Sequence, residues 1–125
     1  MAQTNPVRWF EIYVQDMARA RRFYEAVLET KLERLETGDM DYWTFPMGGP
    51  ETYGAGGALA RMTGMPSGGN STLVYFACED CAVEAGRVAA AGGKVEREKM
   101  SIGEHGFIAL ARDTEGNMIG LHSMR

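Results

Sequence analysis

Histidine and cysteine are scarce in this 125-residue chain: His105, His122, Cys78 and Cys81 are all there are. A four-ligand zinc site would need a second pair beside Cys78 and Cys81, and the chain holds only two histidines, so structural thiols are the expected reading. Positive charge is in the minority, with 13 Lys and Arg against 17 Asp and Glu and a net charge of -4. No basic block is present, and phosphate backbones need clustered positive charge, so nucleic acid is excluded as a partner. No apolar run approaches the ~20 residues of a membrane span, and the opening MAQTNPVRW lacks the pattern of a signal peptide. The expected location is cytoplasmic, with no membrane partner. With 45% hydrophobic and 24% charged residues, disorder is excluded too, and residues 1–125 are expected to form one domain.

What is present reads as alternating strands and helices. VRWFEIYV from Val7 is a β-branched and aromatic run, expected as a strand. Asp16 can cap the helix that follows, where Met17, Ala20, Phe23, Tyr24, Val27 and Leu28 recur at helical spacing. Leu32 to Glu36, Asp41 to Met47 and Ala58 to Met62 read as strands, the last reached through a glycine-rich loop from Gly48 to Gly57. After the Gly, Pro and Ser-rich stretch Thr63 to Ser71 the order repeats. Thr72 to Cys78 is a strand, Asp80 a cap, Cys81 to Ala91 a helix stopped by Gly92-Gly93, and three strands follow at Lys94 to Met100, Gly106 to Arg112 and Met118 to Ser123. The run Asp113 to Asn117 (DTEGN) makes the last two a hairpin. Cys78 and Cys81 have the spacing of a redox pair, but Cys78 falls at a strand end and not at a helix start, which makes both structural thiols.

The half-repeats, about 7–62 and 71–123, share the order βαβββ at an offset near 64. Each leaves an open sheet face that it cannot bury alone. The expected fold is therefore α+β, with two βαβββ repeats forming a curved, mostly antiparallel sheet around a cavity and the helices outside.

The run WFEIYVQDMARARRFYEAVLETKLE resembles the opening of vicinal-oxygen-chelate proteins, and DTEGNMIGLHS is similar to their closing signature. That superfamily holds glyoxalase I, extradiol dioxygenases, and fosfomycin-resistance and bleomycin-binding proteins; this chain most resembles its glyoxalase-like branch. The resemblance implies four inward-pointing positions that usually carry His, Gln or Glu to a divalent metal. Here they fall on Trp9, on Thr72 or Leu73, on Ala58 or Leu59, and on Gly120. None of these supplies a donor of the kind such a centre needs, so no metal and no cofactor is expected. Metal-dependent glyoxalase and ring-cleaving dioxygenase chemistry, which needs the ion as Lewis acid, is disfavoured with it. The resemblance also implies a homodimer, since many relatives complete their cavities with a second chain.

Strand alternation puts Phe10, Ile12 and Val14 under the helix and Trp9, Glu11 and Tyr13 on the cavity side. Tyr42 and Tyr75 belong to strands that also face inward. Trp9 stands opposite the missing side chain of Gly120, which suggests a ring-lined slot. Glu11, on a cavity wall, suits a general base or a contact with a cation; its structural alternative is an ion pair with Arg8, Arg61 or another basic group at the cavity mouth. His105 and His122 are candidate proton shuttles. The ligand-binding set is thus Trp9, Glu11, Tyr13, Tyr42, Tyr75, His105 and His122, with Glu11 and His122 as catalytic candidates. The leading reading is a metal-free, aromatic-lined pocket for a small organic molecule, serving sequestration or resistance. The alternatives are a metal-independent lyase or isomerase using Glu11 with Tyr13, His105 or His122, and a metalloenzyme with ligands relocated to Glu11 and His122.

Overall fold

An aspartate starts the helix in each half. In a computed structural model describing residues 4–49 and 51–125, Asp16 is extended and accepts from the Arg19 N–H at 3.1 Å, opening α1 (Met17–Leu28). Asp80 does the same through the Ala82 N–H at 3.0 Å for α2 (Cys81–Val88). Met1 to Gln3 of the opening segment and Pro50 of the glycine-rich loop lie outside the described residues. The α2 helix ends three residues before the expected Ala91, and the Gly93 N–H closes back on the Val88 carbonyl at 2.9 Å. Gly92 makes that turn at φ 98°, a left-handed conformation that glycine adopts without a Cβ clash.

The strands are β1 (Trp9–Tyr13), β2 (Glu33–Arg34), β3 (Asp41–Thr44), β4 (Gly56–Arg61), β5 (Val74–Ala77), β6 (Lys94–Ser101), β7 (Phe107–Arg112) and β8 (Met118–Ser123). They form two four-stranded sheets, β1-β4-β3-β2 and β5-β8-β7-β6. In each, the first strand of the half pairs parallel with the last and the remaining pairs are antiparallel. The α+β fold of two βαβββ units is therefore as the sequence implies. Among the described residues no backbone ladder joins one sheet to the other; side chains do that work.

One joint is apolar. Ile12, Val14, Phe23, Tyr24, Val27 and Leu59 of the first half share a buried cluster with Val88, Ala111 and Ile119 of the second. The rings of Phe10, Tyr24, Phe45 and Phe76 meet there at centroid distances of 5.4 to 6.0 Å. The other joint is polar and is made by the β7–β8 turn. Glu115 accepts from the Gln15 and Asp16 N–H groups at 2.8 and 2.9 Å and from Arg19 Nε at 2.7 Å. Asp113 accepts from the buried Tyr24 hydroxyl at 2.6 Å, and Asn117 Nδ2 donates to the Tyr13 carbonyl at 3.0 Å. The closing signature is thus a latch between halves as well as a hairpin.

Candidate functional site

With the helices and the buried cluster on one side, the other face of both sheets carries the candidate residues. On β1 the alternation holds: Ile12 is buried toward α1, while Trp9, Glu11 and Tyr13 point away from it. On β3 the inward residue is Tyr42, which packs with Ala58, Ala60 and Tyr13; Trp43 and Phe45 turn to the helix side. The four polar groups are linked. Tyr13 donates to Glu11 Oε1 at 2.6 Å and Tyr42 donates to Glu11 Oε2 at 2.6 Å, while Trp9 Nε1 donates to the Tyr42 hydroxyl at 2.7 Å. The hydrogen bond to Glu11 raises the Tyr13 pKa above the ordinary phenol value, with burial second. For Tyr42 burial comes first and the Glu11 bond second, so both phenols stay protonated.

On the second sheet, Tyr75, Ala77, Ile102, Ile108 and His122 line a cavity of about 460 Å³. Phe76 and Leu121, at alternate positions, pack instead with Cys81 and Ala85 of α2. His122 Nε2 lies 2.7 Å from the His105 carbonyl oxygen. A carbonyl only accepts, so Nε2 carries the hydrogen of that bond and Nδ1 is the nitrogen left outside it. His105 itself contributes that carbonyl, whereas its side chain is 78% exposed beside Glu104.

Gly120 leaves no empty slot opposite Trp9, because Tyr75 is its register partner and a Cβ on Gly120 would run into the Tyr75 ring. Trp9 is paired with Gly56, whose Cβ would stand 3.0 Å from the indole. Glu11 has no ion pair with Arg8 or Arg61 among the described residues, and Arg61 Nε donates to the Gln15 carbonyl at 3.0 Å. The candidates also fall into two groups: Trp9, Glu11, Tyr13 and Tyr42 form one, and the cavity holding Tyr75 and His122 includes none of them. A larger, open hollow of about 790 Å³ lies at the glycine-rich loop, lined by Val7, Arg8, Met47 and Tyr53 among others; no sequence motif marked it. Both cysteines are free, Cys81 buried and Cys78 half-buried.

A divalent metal does not fit the superfamily's usual positions. Of the positions that the resemblance implies, Ala58 or Leu59 and Thr72 or Leu73 carry no donor such a centre uses, Gly120 is covered by the Tyr75 ring, and Trp9 is an indole. Among the described residues no three His, Cys, Asp or Glu side chains converge to hold an ion.

Fold, repeat and closing latch together define a two-module glyoxalase-like protein. Residues 7–121 match the Glyoxalase/Bleomycin resistance protein/Dioxygenase superfamily, and the chain belongs to it. It is similar to "Putative glyoxylase CFP32" of Mycobacterium bovis and of Mycobacterium tuberculosis, 32% identical to each over 116 residues, which is 91% of this chain and 42% of the relative. The chain thus spans less than half the length of those proteins. Among solved structures, TnmS3, an antibiotic binding protein from Streptomyces sp. CB03234, superposes with a TM-score of 0.67 at 23% identity, covering 95% of both chains. A glyoxalase I mutant from Zea mays gives 0.73 at 21% identity over 94% of this chain and 46% of its own. Likeness at that level of identity concerns the fold alone.

Proposed function

We propose that this protein binds a small organic molecule with an apolar, planar body, without a metal, and so sequesters it. The observation that carries this reading is the 460 Å³ cavity, whose lining is apolar except for His122 and the Tyr75 hydroxyl. That volume is in the range of about 300–1,000 Å³ that suits a drug-sized ligand, and one or two polar anchors are enough to orient it. The likeness in fold to an antibiotic binding protein supports sequestration as the purpose. The free thiols of Cys78 and Cys81, three residues apart and unbonded, suit a reducing compartment, and we place the protein in the cytosol.

A thermal-shift and fluorescence screen of planar aromatic compounds tests the reading. Tyr75→Ala should weaken hits seated in the cavity by about 1 kcal/mol, the worth of an aromatic contact. Trp9→Ala should weaken those that also reach the first sheet. Compounds that bind wild type, Tyr75→Ala and Trp9→Ala equally well would place the site elsewhere.

We also infer a homodimer in which the second chain covers the open sheet faces, where Tyr75 is 47% exposed and Trp9 38%. Light scattering at tens of micromolar protein should give twice the chain mass, and a monomeric mass overturns this. One observation favours catalysis as a second reading. The Glu11 carboxylate lies within 2.6 Å of two hydroxyls, so it can take a proton while a phenol steadies developing negative charge. New products after incubation with a bound compound, lost in Glu11→Gln, would establish a metal-independent lyase or isomerase.

A further inference from the structure

We propose that Glu11, held by Tyr13, Tyr42 and Trp9, is the anchor for an organic cation, a protonated amine carried on an apolar or aromatic body. This goes beyond the pocket reading, because Glu11 lies outside the 460 Å³ cavity, and names a second place where a small organic molecule is held.

The directions of the hydrogen bonds carry the inference. An indole N–H only donates, so Trp9 occupies an acceptor position of Tyr42 and the Tyr42 hydrogen is left for Glu11 Oε2. Tyr13 gives its hydrogen to Oε1. With Glu11 ionised, each of the three hydrogens has one acceptor and each carboxylate oxygen has one donor. The cluster is therefore ordered around a negative charge. A carboxylate has about four acceptor positions, and here two are used. Glu11 is exposed, so the remaining two are open to a ligand.

No protein cation forms an ion pair with Glu11 among the described residues. Arg61 Nε is bound to the Gln15 carbonyl and Arg112 to Glu96, while Arg8 lines the separate hollow at the glycine-rich loop. Glu115 makes the contrast, because it is buried and its charge is met by Arg19 and two backbone N–H groups. A carboxylate kept in the fold for stability is treated as Glu115 is. Glu11 is instead oriented by three aromatic side chains, left accessible, and left without a counter-ion. An ammonium or amidinium group supplies both the missing charge and the missing donors, and its apolar body can rest against the exposed part of Trp9. An acid at the same place would meet a like charge, with the hydroxyl hydrogens already committed.

The test uses three probes of one shape, benzylamine, benzyl alcohol and benzoate, followed at neutral pH by NMR of the two indole N–H signals. Benzylamine should move the Trp9 signal and not that of Trp43, and should bind at least about tenfold more tightly than the alcohol or the acid. Its affinity should fall as salt is raised, while that of the alcohol should not. Glu11→Gln should remove about tenfold of the amine's affinity. Benzoate or the alcohol binding as tightly as the amine, or an unmoved Trp9 signal, overturns the proposal. If Glu11→Gln does not fold, the charge series and salt dependence on wild type decide it. Neutral and acidic probes that bind and are weakened by Tyr75→Ala, with no advantage to the amine, would leave the pocket standing and refute the cation anchor; binding by none of the three refutes the cation anchor.

Discussion

Burial pushes the Cys78 thiol up to about 12, and the nearby Glu84 carboxylate pushes the same way. At that value almost none of it is thiolate near neutral pH, and Cys81 is wholly buried behind it. The CxxC spacing coincides with a strand ending where a helix begins, and burial of Cys78 disfavours the thiolate that redox chemistry needs. Iodoacetamide at pH 8 should alkylate Cys78 in the native protein at least about a hundredfold more slowly than in the urea-unfolded chain, as read by mass spectrometry. Equal rates would restore the reactive-cysteine reading. Gly120 teaches a related lesson. Its missing side chain reads in the sequence as space for a ligand, but the space is taken by the ring of Tyr75, its neighbour in the parallel pair. A glycine's vacancy belongs to whichever large side chain lies beside it, and the neighbour comes from a strand 45 residues earlier.

Among the elements, the β7–β8 turn carries the most consequence. Burial by itself would raise the Glu115 pKa, but the bonds from Arg19, from the Asp16 and Gln15 N–H groups and from Thr114 outweigh it and bring the carboxyl down to about 2. Its folded value is thus below its ordinary 4.5. The stability it contributes is fully present above pH 4.5 and is lost as pH falls toward 2. Discounted for the half-exposed Arg19, that contribution is about 2 kcal/mol near neutrality. Urea unfolding should therefore show Glu115→Gln less stable than wild type by about 2 kcal/mol at pH 7, with most of the gap gone at pH 3. A gap of the same size at both pH values would show that Glu115 acts through packing alone. The turn was legible in the sequence as a hairpin because DTEGN is a local signal, as were the Asp16 and Asp80 caps, whose partners lie two or three residues away. Its role as a latch was not legible, because Glu115 binds backbone N–H groups, which leave no residue pattern to read.

For the molecule as a whole, the same division between near and far decides what the sequence discloses. The element order, the helix-facing side of β1 and the repeat all follow from periodicity. The gathering of Trp9, Glu11 and Tyr13 on one face follows from alternation along a single strand. That Tyr42 joins them depends on β4 lying between β1 and β3, a sheet order that local periodicity does not encode. The separation of this group from Tyr75 and His122 likewise depends on two sheets that share a core without sharing a ladder. The span of the latch has a consequence for how the protein is made. Gln15 and Asp16 wait for a partner 100 and 99 residues further on, so the contacts of the first half are completed only once Glu115 is present. Until then Phe23 and Tyr24 lack the covering that the second half supplies, and contacts of such long sequence separation form late and slowly.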